Sequence, residues 1–242
     1  MDFAAYKQWL ISNAYLLPIF LIMAVIVFLL LRLQNSLRER SVAEIEHLLI
    51  ADPALCAERL ENNKLFRTVF RRPVIALWKL QAYMQLGDDE KIEATLTSLS
   101  KMHLEPRDTL EMYQQSLSYY AETGKKEEAI AARDSLRKFI IKAKAQNIEP
   151  YKTVLEEADT IIGVYVEHNT SLIKKLVGKA EHTKNDLDRG ITQYRIAKLA
   201  YFKGDEDMVK TYLSRAEKNL KDTAYAEIIK AAQSDYSVLS EK

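Results

Sequence analysis

The sequence predicts an all-α protein in which a single transmembrane helix precedes a solenoid of helical hairpins. Three observations favour this fold class. An uncharged run near the N-terminus is long and apolar enough to cross a bilayer. Apolar residues after it recur at helical spacing. The whole chain has only six glycines and five prolines, which are too few for the many tight turns of a sheet protein.

The composition is that of a globular chain and excludes several function classes. Hydrophobic residues make up 48% and charged residues 29%, so the chain can bury a core. Lys plus Arg (35) nearly cancels Asp plus Glu (34), so no strong overall field attracts nucleic acid. Cys56 is the only cysteine, which excludes an internal disulfide and a multi-cysteine metal site.

The patterns divide the chain into five segments. We expect a short N-terminal tail (1–8), a transmembrane helix (9–33), a juxtamembrane helical linker (34–72), a helical repeat domain (73–236) and a C-terminal tail (237–242).

The anchor is predicted from a run without charged residues that extends from Trp9 to Leu31. As a helix it would span roughly 34 Å at about 1.5 Å per residue, against a hydrocarbon core of about 30 Å. Trp9 lies at its N-terminal end, where amphipathic aromatic side chains settle among lipid headgroups. A cleavable signal peptide is the alternative interpretation, but it needs a basic start, and here Asp2 offsets Lys7. The run therefore favours an anchor.

Basic residues beside the anchor predict its orientation. Lys7 stands on the N-terminal side, whereas Arg32, Arg38 and Arg40 follow the apolar run. Positively charged flanks stay in the cytoplasm. We therefore expect the large helical domain to be cytoplasmic.

Capping residues predict where the following helices begin. Ser41 and Glu44 resemble a capping box, which would start a helix there. Asp52 and Pro53 form an N-cap and first-turn pair. Further helices are expected to begin at Pro73, Pro106 and Pro150.

Helix–turn–helix units recur along the rest of the chain. Gly87, Gly124 and Gly204 each follow an apolar helical stripe and precede another, as expected for helix ends that close through a left-handed residue. The first two glycines are separated by about one unit of roughly 40 residues and the last two by about two units. The intervening unit is therefore expected to turn near His168–Thr170, and a capping helix is predicted over Thr223–Ser234.

These units resemble tetratricopeptide repeats over roughly Pro73 to Leu220. The period is longer than the family's usual value of about 34 residues, and Val209 replaces an expected alanine. The residues that carry the resemblance are Tyr83, Gly87, Asp88, Tyr120, Gly124, Ala129, Ala197, Tyr201, Phe202, Gly204 and Ala216.

The resemblance implies a concave groove lined by the first helix of each hairpin. Counting back from the turn glycines, it places six residues there: Leu77, Gln81, Gln114, Ser118, Tyr194 and Lys198. Their mixture of apolar, amide, aromatic and cationic groups suits a partner's peptide or helix. The alternative for Leu77 and Tyr194 is an ordinary place in the core. Only Lys198 fits the clamp by which some family members hold acidic chaperone tails, so that ligand class is not favoured.

No catalytic or cofactor motif is present in the sequence. The four histidines lie in different segments without paired metal-ligand spacing, and nucleophile-elbow, P-loop and dinucleotide motifs are missing. We therefore expect no enzyme activity, cofactor, nucleic acid or small-molecule substrate. The predicted function is a membrane-anchored adaptor whose partners are the bilayer and a protein or peptide. The alternatives are an accessory subunit of an integral membrane complex and an anchored chaperone-like factor whose domain lies outside the cytoplasm.

Overall fold

The fold is known from a computed structural model, which describes residues 16–143, 149–221, 223 and 225–241. Every regular element in these ranges is helical, and none is a strand. The predicted all-α fold class, with a long apolar N-terminal helix followed by helical segments, is confirmed.

Helix α1 is one continuous helix over Leu16–Ala51. Its apolar side chains from Phe20 to Leu31 are exposed, and in the described part of the chain it is the helix whose length and composition would allow it to cross a membrane. Trp9 lies outside the described residues. The exposed residues Arg32, Arg38 and Arg40 follow the apolar part within the same helix.

The capping box predicted at Ser41 is wrong, because α1 passes through it without a break. Ser41, Ile45 and Leu49 are buried instead. They lie on the side of α1 that packs against α2 (Pro53–Asn62) and α3 (Lys64–Val69). The second half of α1 is therefore part of the folded domain.

The predicted start of α2 is confirmed. The Asp52 side chain accepts a hydrogen bond from the Leu55 amide at 2.9 Å, and Pro53 occupies the first turn. Cys56 is fully buried beneath α1, as expected of a small core side chain.

Four helical hairpins follow in chain order. They are α4 (Arg72–Leu86) with α5 (Asp89–Ser100), α6 (Pro106–Glu122) with α7 (Lys126–Ala143), α8 (Lys152–Tyr165) with α9 (Ile173–His182), and α10 (Asp186–Lys203) with α11 (Glu206–Leu220). A short 3₁₀ turn over Glu149–Tyr151 precedes α8, and another over Thr170–Leu172 precedes α9. Each first helix contacts the first helix of the next hairpin, so these helices form one continuous face.

The turns of the hairpins use left-handed backbone conformations where they were expected. Gly87, Gly124 and Gly204 have φ of 65°, 75° and 76°. His168 has φ of 52° in the third turn, where a non-glycine residue is strained. The His168 ring stacks on Phe202 with ring centroids 3.8 Å apart, and this contact holds the residue in place.

Two short helices end the described chain. Helix α12 (Tyr225–Ser234) corresponds to the predicted capping helix. It packs on α11 as expected and begins two residues later than predicted. Helix α13 (Val238–Glu241) contacts α10 and α12. Its Leu239 is fully buried, so part of the segment expected to be a tail belongs to the core.

A candidate partner-binding groove

A groove of about 600 Å³ opens between α4, α6, α10 and α12. Three of these helices are the first helices of hairpins, and α12 follows the last hairpin. The volume lies within the range of roughly 300–1,000 Å³ found for ligand sites. The lining residues are Gln81, Met84, Gln85, Glu111, Gln114, Gln115, Ser118, Glu122, Ile191, Arg195, Tyr225 and Ile228.

Polar groups on α4 and α6 line one side of the groove. Gln81, Gln114 and Ser118, which the sequence predicted as groove residues, all lie there. Gln114 and Ser118 are about one helical turn apart, so they lie on the same side of α6. The structure therefore brings three of the six predicted residues together. Partner binding by them stays a prediction.

The other three predicted residues lie below the surface. Leu77 and Tyr194 are 2% and 3% exposed. Lys198 is fully buried, and its Nζ donates a hydrogen bond to the Leu239 carbonyl oxygen at 2.5 Å. Burial lowers the pKa of Lys198 to about 8. In this structure a partner in the groove would meet Gln81, Gln114 and Ser118 but not these three side chains.

A second cavity of about 390 Å³ extends the groove towards α8 and α9. Gln114, Ile191 and Arg195 line both cavities. The two cavities are therefore neighbours along α6 and α10, and we refer to them together as the channel.

An ionic cluster lies where the two cavities meet. Arg195 is 6% exposed and pairs with Glu157, which also accepts a hydrogen bond from Lys179 Nζ at 2.6 Å. Burial would raise the pKa of Glu157, but the positive charges of Arg195 and Lys179 outweigh it and lower the pKa to about 2. One carboxylate therefore holds both cations of the channel, and the guanidinium lies 5.8 Å from the ring centroid of buried Tyr165.

Two half-buried carboxyl groups stand elsewhere in the groove. Glu122 accepts a hydrogen bond from the Tyr225 hydroxyl at 2.8 Å, which joins α6 to α12. Glu111 accepts one from Gln115 Nε2 at 3.1 Å. Burial raises the pKa of both carboxyl groups. Neither makes an ion pair with a cation of the described residues at 4.0 Å or less.

Sequence reasoning missed the charged part of the groove. Arg195 meets Glu157, and Tyr225 meets Glu122, only through tertiary packing, since the two partners of each pair come from different helices. The sequence did contain one local indication of this polar surface. Polar residues recur on α6 at intervals of three or four positions, which places them on one face of the helix: Glu111, Gln115, Ser118 and Glu122.

The lining groups are suited to recognition. Amides can hydrogen-bond a peptide main chain, carboxylates can pair with cations, and Met84, Ile191 and Ile228 provide apolar contacts. The sequence matches no protein-family profile, and neither the curated proteins nor the solved structures show a significant similarity to it.

Proposed function

We propose that the protein is a non-catalytic, membrane-anchored adaptor that binds a segment of a partner protein in the groove. The observation that carries this proposal is the position of the groove. It lies on the face formed by the first helices of successive hairpins, where its lining mixes amides, carboxylates and apolar side chains. Such a lining suits a peptide better than a reacting small molecule.

The resemblance to tetratricopeptide repeats supports this function. The small residues Ala197 and Ala216 are fully buried between helices, as the resemblance implies for closely packed hairpins. The concave face of such solenoids is their usual binding surface. We infer a tetratricopeptide-like domain from these features together with the left-handed turn glycines.

The exposed apolar part of α1 supports the anchoring. Side chains from Phe20 to Leu31 have no contacts that bury them, and a bilayer would cover them. Tethering would concentrate a partner at the membrane surface without any additional contact. The basic residues Arg32, Arg38 and Arg40 favour a cytoplasmic domain, which C-terminal reporter fusions would test.

The experiment for groove binding compares two tryptophan variants of the full-length chain. Ser118→Trp fills the groove, whereas Ser214→Trp places the same bulk on an exposed position of α11. Both variants would be purified from membranes in mild detergent, and the copurifying proteins quantified. We expect at least one stoichiometric partner to be lost with Ser118→Trp and kept with Ser214→Trp. Equal recovery with both variants would refute groove binding.

A further inference from the structure

The charges of the channel are not balanced. Four carboxylates line it (Glu111, Glu122, Glu157 and Asp188), against two cations (Lys179 and Arg195). Both cations pair with Glu157. Asp188 lies in the first turn of α10, where the helix dipole compensates a negative charge.

Glu111 and Glu122 are therefore the carboxylates of the channel that form no ion pair within the described residues. Arg107 lies near Glu111 and Arg195 near Glu122, but neither reaches its carboxylate within 4.0 Å. Both carboxylates are half-buried in the wall of the groove and have neutral hydrogen-bond partners. A partly buried carboxylate that forms no ion pair gains more from a new positive charge in contact with it than an exposed carboxylate does, because water screens the charge less.

The two carboxylates stand at opposite ends of the same helix face. They are separated by eleven positions on α6, which corresponds to roughly 16 Å at about 1.5 Å per residue. An extended peptide covers about that distance in four to six residues at roughly 3.3 Å each. Because alternate side chains of an extended chain point the same way, only an even separation places both cations on the side that faces α6. An extended segment also leaves its main-chain groups free for the amides of Gln81, Gln85 and Gln114 along the groove, whereas a helix satisfies those groups internally.

Resting on the proposed function, we infer that the groove takes an extended partner segment with two lysine or arginine side chains about four or six residues apart, so that both face α6. One cation meets Glu111 and the other meets Glu122. Apolar side chains between them contact Met84, Ile191 and Ile228.

The test uses the full-length protein in mild detergent and fluorescent peptides of about nine residues. Each peptide carries two lysines separated by two to seven positions, with a central leucine and uncharged residues elsewhere, and its ends are acetylated and amidated. Binding is measured by fluorescence anisotropy. We expect the strongest binding at separations of about four or six residues and weaker binding at odd separations, which turn one lysine away from α6. Replacing both lysines by glutamate should leave no comparable binding.

Two double variants identify the contact. Glu111→Gln with Glu122→Gln keeps the hydrogen-bond acceptors and removes the charges, and we expect binding about tenfold weaker. Glu46→Gln with Glu181→Gln removes the same charge from exposed positions outside the groove and should leave binding within about twofold.

The failures of the two proposals are distinguishable. If neutral or acidic peptides bind as well as the basic ones, and Ser118→Trp still blocks them, the charge inference is overturned while groove binding stands. The same conclusion follows if Glu111→Gln with Glu122→Gln has no effect on binding that Ser118→Trp abolishes. If no peptide binds in a manner that Ser118→Trp blocks, both proposals are overturned.

Discussion

Replacing Glu157 with glutamine should destabilise the domain, because it leaves the Arg195 guanidinium buried without its carboxylate. Glutamine has nearly the same shape, so the packing of α8 against α10 is preserved. The change therefore isolates the charge of Glu157. Lys179 also loses its partner, but its side chain is 43% exposed, so water replaces that contact.

The size of the effect follows from the pKa of Glu157, which is lowered from 4.5 to about 2. At about 1.4 kcal/mol per pH unit the difference corresponds to about 3 kcal/mol. The Glu157 side chain is 34% exposed, so solvent screening reduces this by about half. Leaving one partner of a fully buried pair costs about 3–5 kcal/mol. We expect a loss of about 2 kcal/mol in the free energy of unfolding, or roughly 4–8 °C in Tm.

The assay is urea unfolding of the full-length chain in mild detergent, followed by the circular dichroism of the helices. Because the pKa of Glu157 is lower in the folded state, its stabilisation is present above pH 4.5 and is lost as the pH falls towards 2. The difference between wild type and variant should therefore shrink by more than half between pH 6 and about pH 3. The matched control is Glu156→Gln, which removes an exposed pair with Lys175 and should cost less than about 0.5 kcal/mol. An equally small loss for Glu157→Gln would refute the interpretation of the ionic cluster.

Three other predictions concern packing, titration and anchoring. A Cβ at Gly190 would lie 2.6 Å from the Leu220 side chain, so Gly190→Ala should lower the free energy of unfolding by about 1–3 kcal/mol in the same urea assay. Its control is Gly178→Ala in α9, where an added Cβ meets nothing within 4 Å, and which should raise the free energy of unfolding by about 0.5–1 kcal/mol. Lys198 has a pKa of about 8 in the folded state and about 10.4 in the unfolded state, so between these pH values the unfolded state binds more protons. The free energy of unfolding should therefore rise from pH 8 to pH 10, and Lys198→Met should remove most of that rise. Removal of residues 1–33 should release a folded protein from carbonate-washed membranes, whereas removal of residues 1–51 should also lower Tm, because the deleted part of α1 then includes its buried side chains.

The turns could be predicted from the sequence because their requirement is local. A left-handed residue at the end of an apolar helical stripe is a property of a few neighbouring positions, and Gly87, Gly124 and Gly204 meet it. His168 also adopts a left-handed conformation, but its ring is stabilised by stacking on Phe202, which comes from another hairpin. The third turn was therefore found from the repeat spacing, while the residue that stabilises it was not.

The capping-box prediction failed because a local signal was outweighed by its surroundings. Between Ile19 and Ala51 no proline or glycine interrupts the chain, and Ile45 and Leu49 continue the buried stripe past Ser41. A cap forms where the backbone leaves the helix, and nothing at Ser41 makes it leave.

The depth of the groove residues could not be predicted by counting back from the turn glycines. Tyr194 packs against Tyr225 with ring centroids 5.6 Å apart, and Lys198 is covered by α13. Both covering helices come from the end of the chain, about 30 to 40 positions later. Helical spacing identifies the face on which a residue lies but contains no information about what packs on that face.

In the proposed adaptor, α1 determines more than attachment. Its apolar part and its buried residues Ser41, Ile45 and Leu49 belong to one continuous helix, so no flexible linker separates the membrane from the domain. The stretch 34–51 is roughly 27 Å long at about 1.5 Å per residue, and its docking on α2 and α3 fixes the rotation of the first hairpin about the helix axis. A flexible tether would only raise the local concentration of the groove. A continuous helix would also restrict the height and direction at which a partner segment can enter, and in the proposed function this restriction would favour partners that are themselves held at the membrane surface.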